Sequence, residues 1–406
     1  MTNYVDFPKI VFPFTVNSNQ AHVTMFDKTY QWGYERDSKQ LLDLSLGCGC
    51  FPLGLARADF LDSTHSTLGQ FSYLSGEHHT SNSAIIKLSE QLYNMSGGYR
   101  SIFTVSGSLA IETAVKVTKL SQQNKRSYIL GFSNSYHGST YLSSSISCTE
   151  YMHGIQGREP NCKTIPWDLD EAAHIMSLLG EENIACIVVE TCSWQAGLHQ
   201  QTSEWWTKLR ELCTNNGIIL IVDDVMMGGG KTGKFFGIDL AVKPDIICTG
   251  KAASGGYFPL SNCLISQSLY QAISDKWFGH GFTYGFNMGG IDSSLHYLDV
   301  IEKEQIYQNF STVAELAETN FENYLNFNSV KAVRNYGTVW CIDLDISNRT
   351  DDDITNLFFE HGIYLGLWND PAVKKQILIQ TPTVVSEEYH SQLNQRLSQV
   401  LHKLCK

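Results

Sequence analysis

The sequence predicts an α/β fold whose mainly parallel central sheet is covered by helices. Two observations in this chain of 406 residues lead to the prediction. Short apolar runs recur through the middle of the chain, and helical patterns separate several of them. Each run is apolar throughout rather than alternating, which is typical of strands buried on both faces. These features favour a parallel sheet between helical layers, with a smaller α/β domain built from both termini.

Five runs carry the strand prediction. They are rich in apolar and β-branched residues and lie at 101–105, 127–132, 185–190, 217–222 and 245–250. We predict helices over 108–120 and 203–216, each between two of these runs. Thr202 precedes the second helix as a candidate N-cap, and Gly217 is placed to end it.

The pattern changes after about residue 300. A long helix and shorter strands follow, and a final amphipathic helix starts at Ser386. We therefore predict three segments. Residues 1–60 join the small domain, 61–300 form the large ligand-binding domain, and 301–406 complete the small domain.

Composition disfavours two classes of partner. The formal net charge of −12 argues against nucleic-acid binding, which needs a basic surface. The apolar run GIILIV is too short to span a bilayer, and the first residues show no signal-peptide pattern. The 11 cysteines are odd in number and scattered, which fits a reducing compartment. We expect a cytoplasmic protein with no membrane or nucleic-acid partner.

Residues at the ends of the predicted strands are the first candidates for function, because ligands bind beyond the carboxyl ends of parallel strands. Asp223 and Asp224 close one strand, and Lys251 closes a later one. A lysine at the end of an apolar strand is either a surface residue or an amine with a chemical task. His78 and His79 have no partners at ligand spacing, so we predict no metal site.

Two further segments complete the set of candidates. Gly107 and Ser108 open a predicted helix, whose free N–H groups and dipole form a natural phosphate site. Tyr136 and His137 follow in the segment SNSYHGST. An amine, an acid, a phosphate cradle and an aromatic ring point together to pyridoxal phosphate chemistry, in which a lysine forms a Schiff base with the cofactor aldehyde. Each feature alone has an ordinary structural explanation, and the combination carries the prediction.

Around these residues the chain resembles the class III aminotransferases, a branch of the fold-type I pyridoxal phosphate enzymes. The most specific segment is LIVDDVMMGGGKTGKFFGIDLAVKPDIICTGKAASGGYFPLS (220–261), in which the spacing from Asp223 to Lys251 matches the family. SGSLAIETAVK, SYHGST and HGFTYGFN match three further family segments in the same order. The resemblance covers most of residues 30–400 and implies the fold-type I architecture.

The resemblance implies a role for each matching position. Lys251 would carry the cofactor, and Asp223 would pair with its pyridine nitrogen. Tyr136 and Val225 would cover opposite faces of the ring. Lys251, Asp223 and Tyr136 are therefore the candidate catalytic residues.

The remaining matches are candidate cofactor-binding residues. Gly107 and Ser108 would bind the phosphate through backbone groups, and His137 belongs to the matching SYHGST segment. Glu190 falls on a strand-end glutamate of the family. Thr283 would reach the phosphate of the other subunit, which implies a homodimer.

The chain departs from the family at the arginine that binds a substrate carboxylate. Gly366 and Leu378 occupy the two candidate positions. Only a guanidinium gives the bidentate contact that a carboxylate prefers, so the usual α-amino-acid recognition is disfavoured. Arg36, Arg57 or Arg158 could supply a guanidinium from a loop, an alternative that the sequence leaves open.

Together these observations predict an aminotransferase that moves an amino group from an amine donor to a keto or aldehyde acceptor by a ping-pong mechanism. The expected substrate is a biosynthetic intermediate rather than a plain α-amino acid. Racemisation or epimerisation, decarboxylation and aminomutase reactions stay open, because all begin with the same imine. A non-catalytic binding protein is the alternative from another class. GGGKTG (228–233) lacks the spacing of a P-loop and is better explained as a turn.

Overall fold

The fold is known from a computed structural model, which describes residues 25–76, 79–148, 153–154, 157–344, 349–365 and 376–404. Its centre is a seven-stranded sheet packed between two apolar layers that contain helical residues. This arrangement confirms the predicted α/β class. Two smaller sheets, of four and three strands, accompany it.

The strands of the described residues are short, as expected for an α/β protein. They are β1 (Lys28–Tyr30), β2 (Gly33–Arg36), β3 (Lys39–Asp43), β4 (Arg100–Thr104), β5 (Tyr128–Phe132), β6 (Cys162–Ile165), β7 (Ile184–Glu190), β8 (Ile219–Asp223), β9 (Ile246–Thr249), β10 (Ser261–Ile265), β11 (Val330–Tyr336), β12 (Val339–Leu344), β13 (Ile363–Tyr364) and β14 (Gln376–Gln380).

The helices alternate with the strands through the middle of the chain. They are α1 (Ala58–Gln70), α2 (Ser83–Met95), α3 (Gly107–Ser121), α4 (Tyr141–Ile146), α5 (Leu169–Leu179), α6 (Ser203–Asn216), α7 (Gln267–Ile273), α8 (Met288–Lys303), α9 (Phe310–Tyr324), α10 (Asp351–Glu360) and α11 (Glu387–Leu404), with a single helical turn at Leu46–Gly49. Within the described part of the chain, no helix has the length and apolar character that a bilayer crossing requires.

The large sheet has the strand order β4-β10-β9-β8-β7-β5-β6. Strand β10 runs antiparallel to both neighbours, and the pairs from β9 to β6 are parallel. The five predicted runs correspond to β4, β5, β7, β8 and β9. Strands β6 and β10 are not predicted from the sequence, because CKTI and SNCLI mix polar with apolar residues.

Strand β7 shows why these runs are apolar throughout. Ile187 and Val189 belong to the apolar layer on one face of the sheet, while Cys186 and Val188 belong to the layer on the other. All four side chains are fully buried. A strand covered on both faces needs apolar residues at every position, which removes the alternation of a half-exposed strand.

The two predicted boundaries of helix α6 are confirmed. The side chain of Thr202 accepts a hydrogen bond from the backbone N–H of Trp205 at 3.2 Å. Gly217 adopts a left-handed conformation with φ of 61° and ends the helix. The predicted final helix begins at Glu387, one residue after Ser386.

A separate apolar core joins both ends of the described chain. Trp32 and Leu42, near the N-terminal end, share it with Leu393 and Leu397 of α11. Strand β13 also pairs in parallel with β3. These contacts fit a small domain built from both ends, although the exact segments 1–60, 61–300 and 301–406 stay predictions.

The hairpin turn between β11 and β12 packs closely against the loop that follows β8. Gly337 in this turn has a φ of 61°, and a Cβ added there would lie 2.0 Å from the carbonyl oxygen of Lys231. The N–H of Thr338 donates to the same oxygen at 2.8 Å. The absence of a side chain at position 337 therefore lets the two segments meet.

We expect Gly337→Ala to lower the free energy of unfolding by more than the cost of placing alanine in a left-handed backbone conformation. Gly97 is a matched control, because its φ is 72° and an added Cβ would meet no atom within 4 Å. Gly97→Ala should cost about 1–2 kcal/mol, and Gly337→Ala roughly 1–3 kcal/mol more from the clash. Urea unfolding of both variants measures the difference. Equal losses would contradict the close packing described here.

Candidate active site

The carboxyl ends of three neighbouring parallel strands define the site. Glu190 ends β7 and lies opposite Asp223, which ends β8. Asp223 in turn lies opposite Cys248 of β9. Lys251 follows β9 after a single intervening residue, Gly250. The strand register alone therefore brings Glu190, Asp223 and Lys251 to one edge of the sheet.

Asp223 is buried and held from two directions. Its Oδ2 accepts a hydrogen bond from Nδ1 of His137 at 2.8 Å. Its Oδ1 accepts from the N–H of Val225 at 3.1 Å. The backbone N–H of His137 donates to Oγ of Ser147 at 2.8 Å, so the histidine is itself fixed. These contacts hold the carboxyl group of Asp223 in one orientation.

Glu190 supports the segment that carries Tyr136. Its Oε1 accepts from the backbone N–H of Tyr136 at 3.0 Å and from Oγ of Ser193 at 3.1 Å. Burial raises the pKa of Glu190 to about 7, although the neighbouring His137 opposes this shift. The side chain contacts the backbone of the aromatic residue, and so acts on the position of the ring.

The N-terminus of α3 lies against the same segment. Ser106 caps this helix by accepting from the N–H of Leu109 at 3.3 Å. A Cβ added at Gly107 would lie 2.8 Å from Cγ1 of Val225, so the bare backbone of Gly107 meets that side chain. Oγ of Ser108 accepts from the N–H of Ser139 at 3.2 Å. The helix N-terminus is thus joined both to the Tyr136 segment and to the residues after Asp223.

Lys251 occupies an unusual backbone conformation. Its φ is 48°, a left-handed value that non-glycine residues seldom adopt. The side chain is half-buried, and Nζ contacts Sδ of Met226 at 3.8 Å. Within the described residues, Lys251 forms no ion pair with an acid. Its amine is therefore directed at a soft, uncharged neighbour rather than at a carboxylate.

Asp224 has a different environment from Asp223, although both follow the same strand. It is fully buried, accepts from Oγ1 of Thr191 at 2.7 Å and accepts from the N–H of Gly237 at 2.9 Å. Burial raises the pKa of Asp224 to about 7, against the effect of these donors. These contacts tie the ends of two strands to the following loop, which indicates a structural role.

The structure places eight of the nine predicted site residues in one connected group and leaves one outside it. Thr283 lies in the loop before α8, and its side chain is exposed. Gly366, one candidate position for the missing arginine, lies outside the described residues, and so does His78. Leu378 is described, and it is buried in an apolar cluster with Met226.

The three arginines considered as substitutes for the missing guanidinium have partners elsewhere, and Arg36 lies at the end of strand β2 rather than in a loop. Arg57 makes ion pairs with Asp59 at 2.9 Å and with Glu304 at 2.6 Å. Arg158 donates to the carbonyl of Ser145 and to Thr164, and Arg36 lies 3.5 Å from Asp37. None of these contacts involves the residues grouped around Asp223.

Two neighbours of the site were not predicted from the sequence. Met226 contacts Lys251, and Lys231 is fully buried in the glycine-rich turn. A methionine three residues after the end of a strand carries no signal of such a contact. A lysine among glycines predicts an exposed turn, since lysine is almost never fully buried.

Comparison with known proteins agrees with this geometry. The family model described as aminotransferase class-III matches residues 14–401. The adenosylmethionine-8-amino-7-oxononanoate aminotransferase of Nitratidesulfovibrio vulgaris is 29% identical over 282 residues, which span 62% of this chain and 52% of that protein. The acetylornithine aminotransferase of Methanocaldococcus jannaschii is 25% identical over 92% of both chains.

Solved structures show the same fold. A transaminase from the marine bacterium Virgibacillus superposes with a TM-score of 0.89 and is 20% identical, with 98% of each chain covered. A Bacillus anthracis aminotransferase superposes with a TM-score of 0.89 at 23% identity, covering 98% of this chain and 97% of that one. By its match over residues 14–401, this chain belongs to the class III aminotransferases, and its cofactor is pyridoxal phosphate.

Proposed function

We propose that this aminotransferase moves an amino group from a primary amine donor to a keto or aldehyde acceptor, in two half-reactions that use the same pocket. The observation that carries the proposal is the meeting of Asp223 and Lys251 at one sheet edge, with His137 fixing Asp223 at 2.8 Å. An oriented acid beside a lysine without an acidic partner suits a reaction that starts at an amine.

The residues around this edge fit the cofactor. The N-terminus of the 15-residue helix α3 offers free N–H groups for a phosphate. Gly107 leaves its backbone bare, because an added Cβ would lie 2.8 Å from Val225. We infer that Gly107 and Ser108 hold the phosphate, that Asp223 holds the pyridine nitrogen, and that Tyr136 and Val225 cover the ring.

When bound, pyridoxal phosphate supplies an aldehyde that condenses with amines and a ring that accepts electrons from the substrate carbon. Lys251 would hold the cofactor through its Nζ. Once released, the same Nζ would serve as the base that accepts a proton from the donor carbon and then as the acid that donates it. The apolar contact with Met226 keeps this amine free of a competing carboxylate.

The two buried acids have separate tasks in this proposal. Asp223 is held in one orientation, because Nδ1 of His137 donates to one carboxylate oxygen and the N–H of Val225 donates to the other. Its negative charge would keep the ring nitrogen protonated. Glu190 instead holds the backbone of Tyr136, and so limits movement of the ring that Tyr136 covers.

A buried apolar cluster lies beside Lys251. Met226, which contacts Lys251, shares an apolar cluster with Leu378, Trp194 and Val339. A carboxylate placed against this cluster would lose its hydration without gaining a guanidinium partner. We therefore propose a substrate whose reacting carbon bears no carboxylate, such as an amino or keto intermediate of biosynthesis.

A second copy of the chain would complete the site in this proposal. Thr283 is exposed, and its neighbour Tyr284 is 64% exposed. Tyr73, which lies 6.0 Å from the ring of Tyr284, is 50% exposed. Exposed aromatic rings at a loop suit an interface with another protein surface. We propose a homodimer in which Thr283 binds the partner's cofactor phosphate; a cytoplasmic location stays a prediction from the cysteines.

We expect Lys251→Ala to abolish the visible absorption band of the cofactor-loaded protein and to lower amine transfer by roughly 10³-fold, because the general base is lost. Lys243→Ala is the matched control, since Lys243 has a similar φ of 51° and is exposed. It should retain the band and the rate. Absorption spectra and amine-transfer assays measure both. Turnover by Lys251→Ala at the wild-type rate would contradict the proposal.

We expect the wild-type protein to prefer isopropylamine to alanine, two donors that differ by a methyl group in place of a carboxylate. Leu378→Arg adds a guanidinium beside the apolar cluster. The ratio of kcat/KM for alanine over isopropylamine should then rise about tenfold or more. Leu378→Met, which conserves apolar volume, should leave the ratio unchanged. A wild-type preference for alanine would contradict the proposed substrate class.

A further inference from the structure

Lys231 is the second lysine of this region, and the proposed reaction gives it no task. Its residue exposure is 0%, and it lies in the loop that leads away from Asp223. A fully buried lysine is rare without an acidic partner, because desolvation of an ammonium group costs several kcal/mol. The environment of Lys231 therefore requires an explanation.

Backbone carbonyls are the hydrogen-bond partners of this ammonium group. Nζ of Lys231 donates to the carbonyl oxygen of Met226 at 2.5 Å and to that of Gly228 at 3.3 Å. Within the described residues, Lys231 has no ion pair. Asp224 is nearby, but its two oxygens accept from Thr191 and Gly237. The hydrogen bonds of Lys231 thus fix the loop that carries Met226, while its charge stays without a counter-ion.

The turn at Leu46–Gly49 brings Lys231 and Met226 together with the reacting lysine. A Cβ added at Gly49 would lie 3.0 Å from Sδ of Met226 and 3.6 Å from Nζ of Lys231. The same sulfur lies 3.8 Å from Nζ of Lys251. Met226 is therefore the residue that both lysines contact, Lys231 through the backbone carbonyl oxygen and Lys251 through the sulfur.

The titratable groups that face Lys231 are Lys251, Cys50 and Asp224. Burial, and next the neighbouring Lys251 ammonium, lower the pKa of Lys231 to about 7. Burial raises the pKa of the Cys50 thiol, so this neighbour is neutral near pH 7. Lys231 therefore gains or loses its charge near neutral pH, next to the lysine that would react.

We propose that Lys231 is a positioning residue of the Lys251 site: it holds Met226 against Lys251 and places a second positive charge beside the bond that Lys251 forms with the cofactor. This inference rests on the proposed role of Lys251. A neighbouring positive charge disfavours protonation of a second nitrogen. The charge of Lys231 therefore lowers the pH at which the Lys251–cofactor nitrogen loses its proton.

The test is a pH titration of the visible absorption band in cofactor-loaded wild-type, Lys231→Arg and Lys231→Met proteins. Arginine stays charged throughout the range, and methionine carries no charge. The midpoint of Lys231→Met should lie about one pH unit above that of Lys231→Arg. The wild-type curve should fall between them and be broader, because Lys231 itself titrates. Lys234→Met, at an exposed neighbouring lysine, is the control and should match the wild type.

Each outcome separates this inference from the proposed function. Equal midpoints for the arginine and methionine variants would overturn the role of Lys231 and leave the role of Lys251 intact. Absence of any visible band in the loaded wild-type protein would contradict both. If Lys231→Met does not fold, the comparison of wild type with Lys231→Arg decides: a lower, narrower transition in the arginine variant supports the role, and identical curves overturn it.

Discussion

The parallel register of β7, β8 and β9 is the constraint on which the site depends. It aligns Glu190 with Asp223 and Asp223 with Cys248, three residues before Lys251. Because parallel strands end at a common edge, residues that are distant in sequence meet without any contribution from their own side chains. A shift of one residue in this register would turn the side chain of Asp223 towards the opposite face.

Paired contacts at this edge compensate for the burial of charge. Asp223 and Asp224 each accept two hydrogen bonds, and Glu190 accepts from both Tyr136 and Ser193. Removing a single donor would leave a buried acceptor unsatisfied, at a cost of about 1–3 kcal/mol. This dense bonding explains how backbone segments from β5, β7 and β8 can hold one rigid arrangement.

Much of this arrangement follows from local sequence, and the remainder depends on distant contacts. Apolar runs predict β7 and β8, and Thr202 and Gly217 mark the ends of α6, because these signals act within a few residues. The pairing of Asp223 with His137 has no such signal. It requires the sheet to bring the end of β8 next to the loop that follows β5. The surroundings of Lys231 likewise come from distant residues, since the hairpin at Gly337 packs against its carbonyl oxygen and Gly49 lies near its Nζ.

The lysine that binds the cofactor can be identified directly. Borohydride reduction of the loaded protein makes the lysine–cofactor bond permanent, and peptide mass spectrometry then locates it. We expect the added cofactor mass on the peptide that contains Lys251 and none on Lys231, although both lysines lie near Met226. Cofactor mass on Lys231, or on neither lysine, would contradict the role of Lys251.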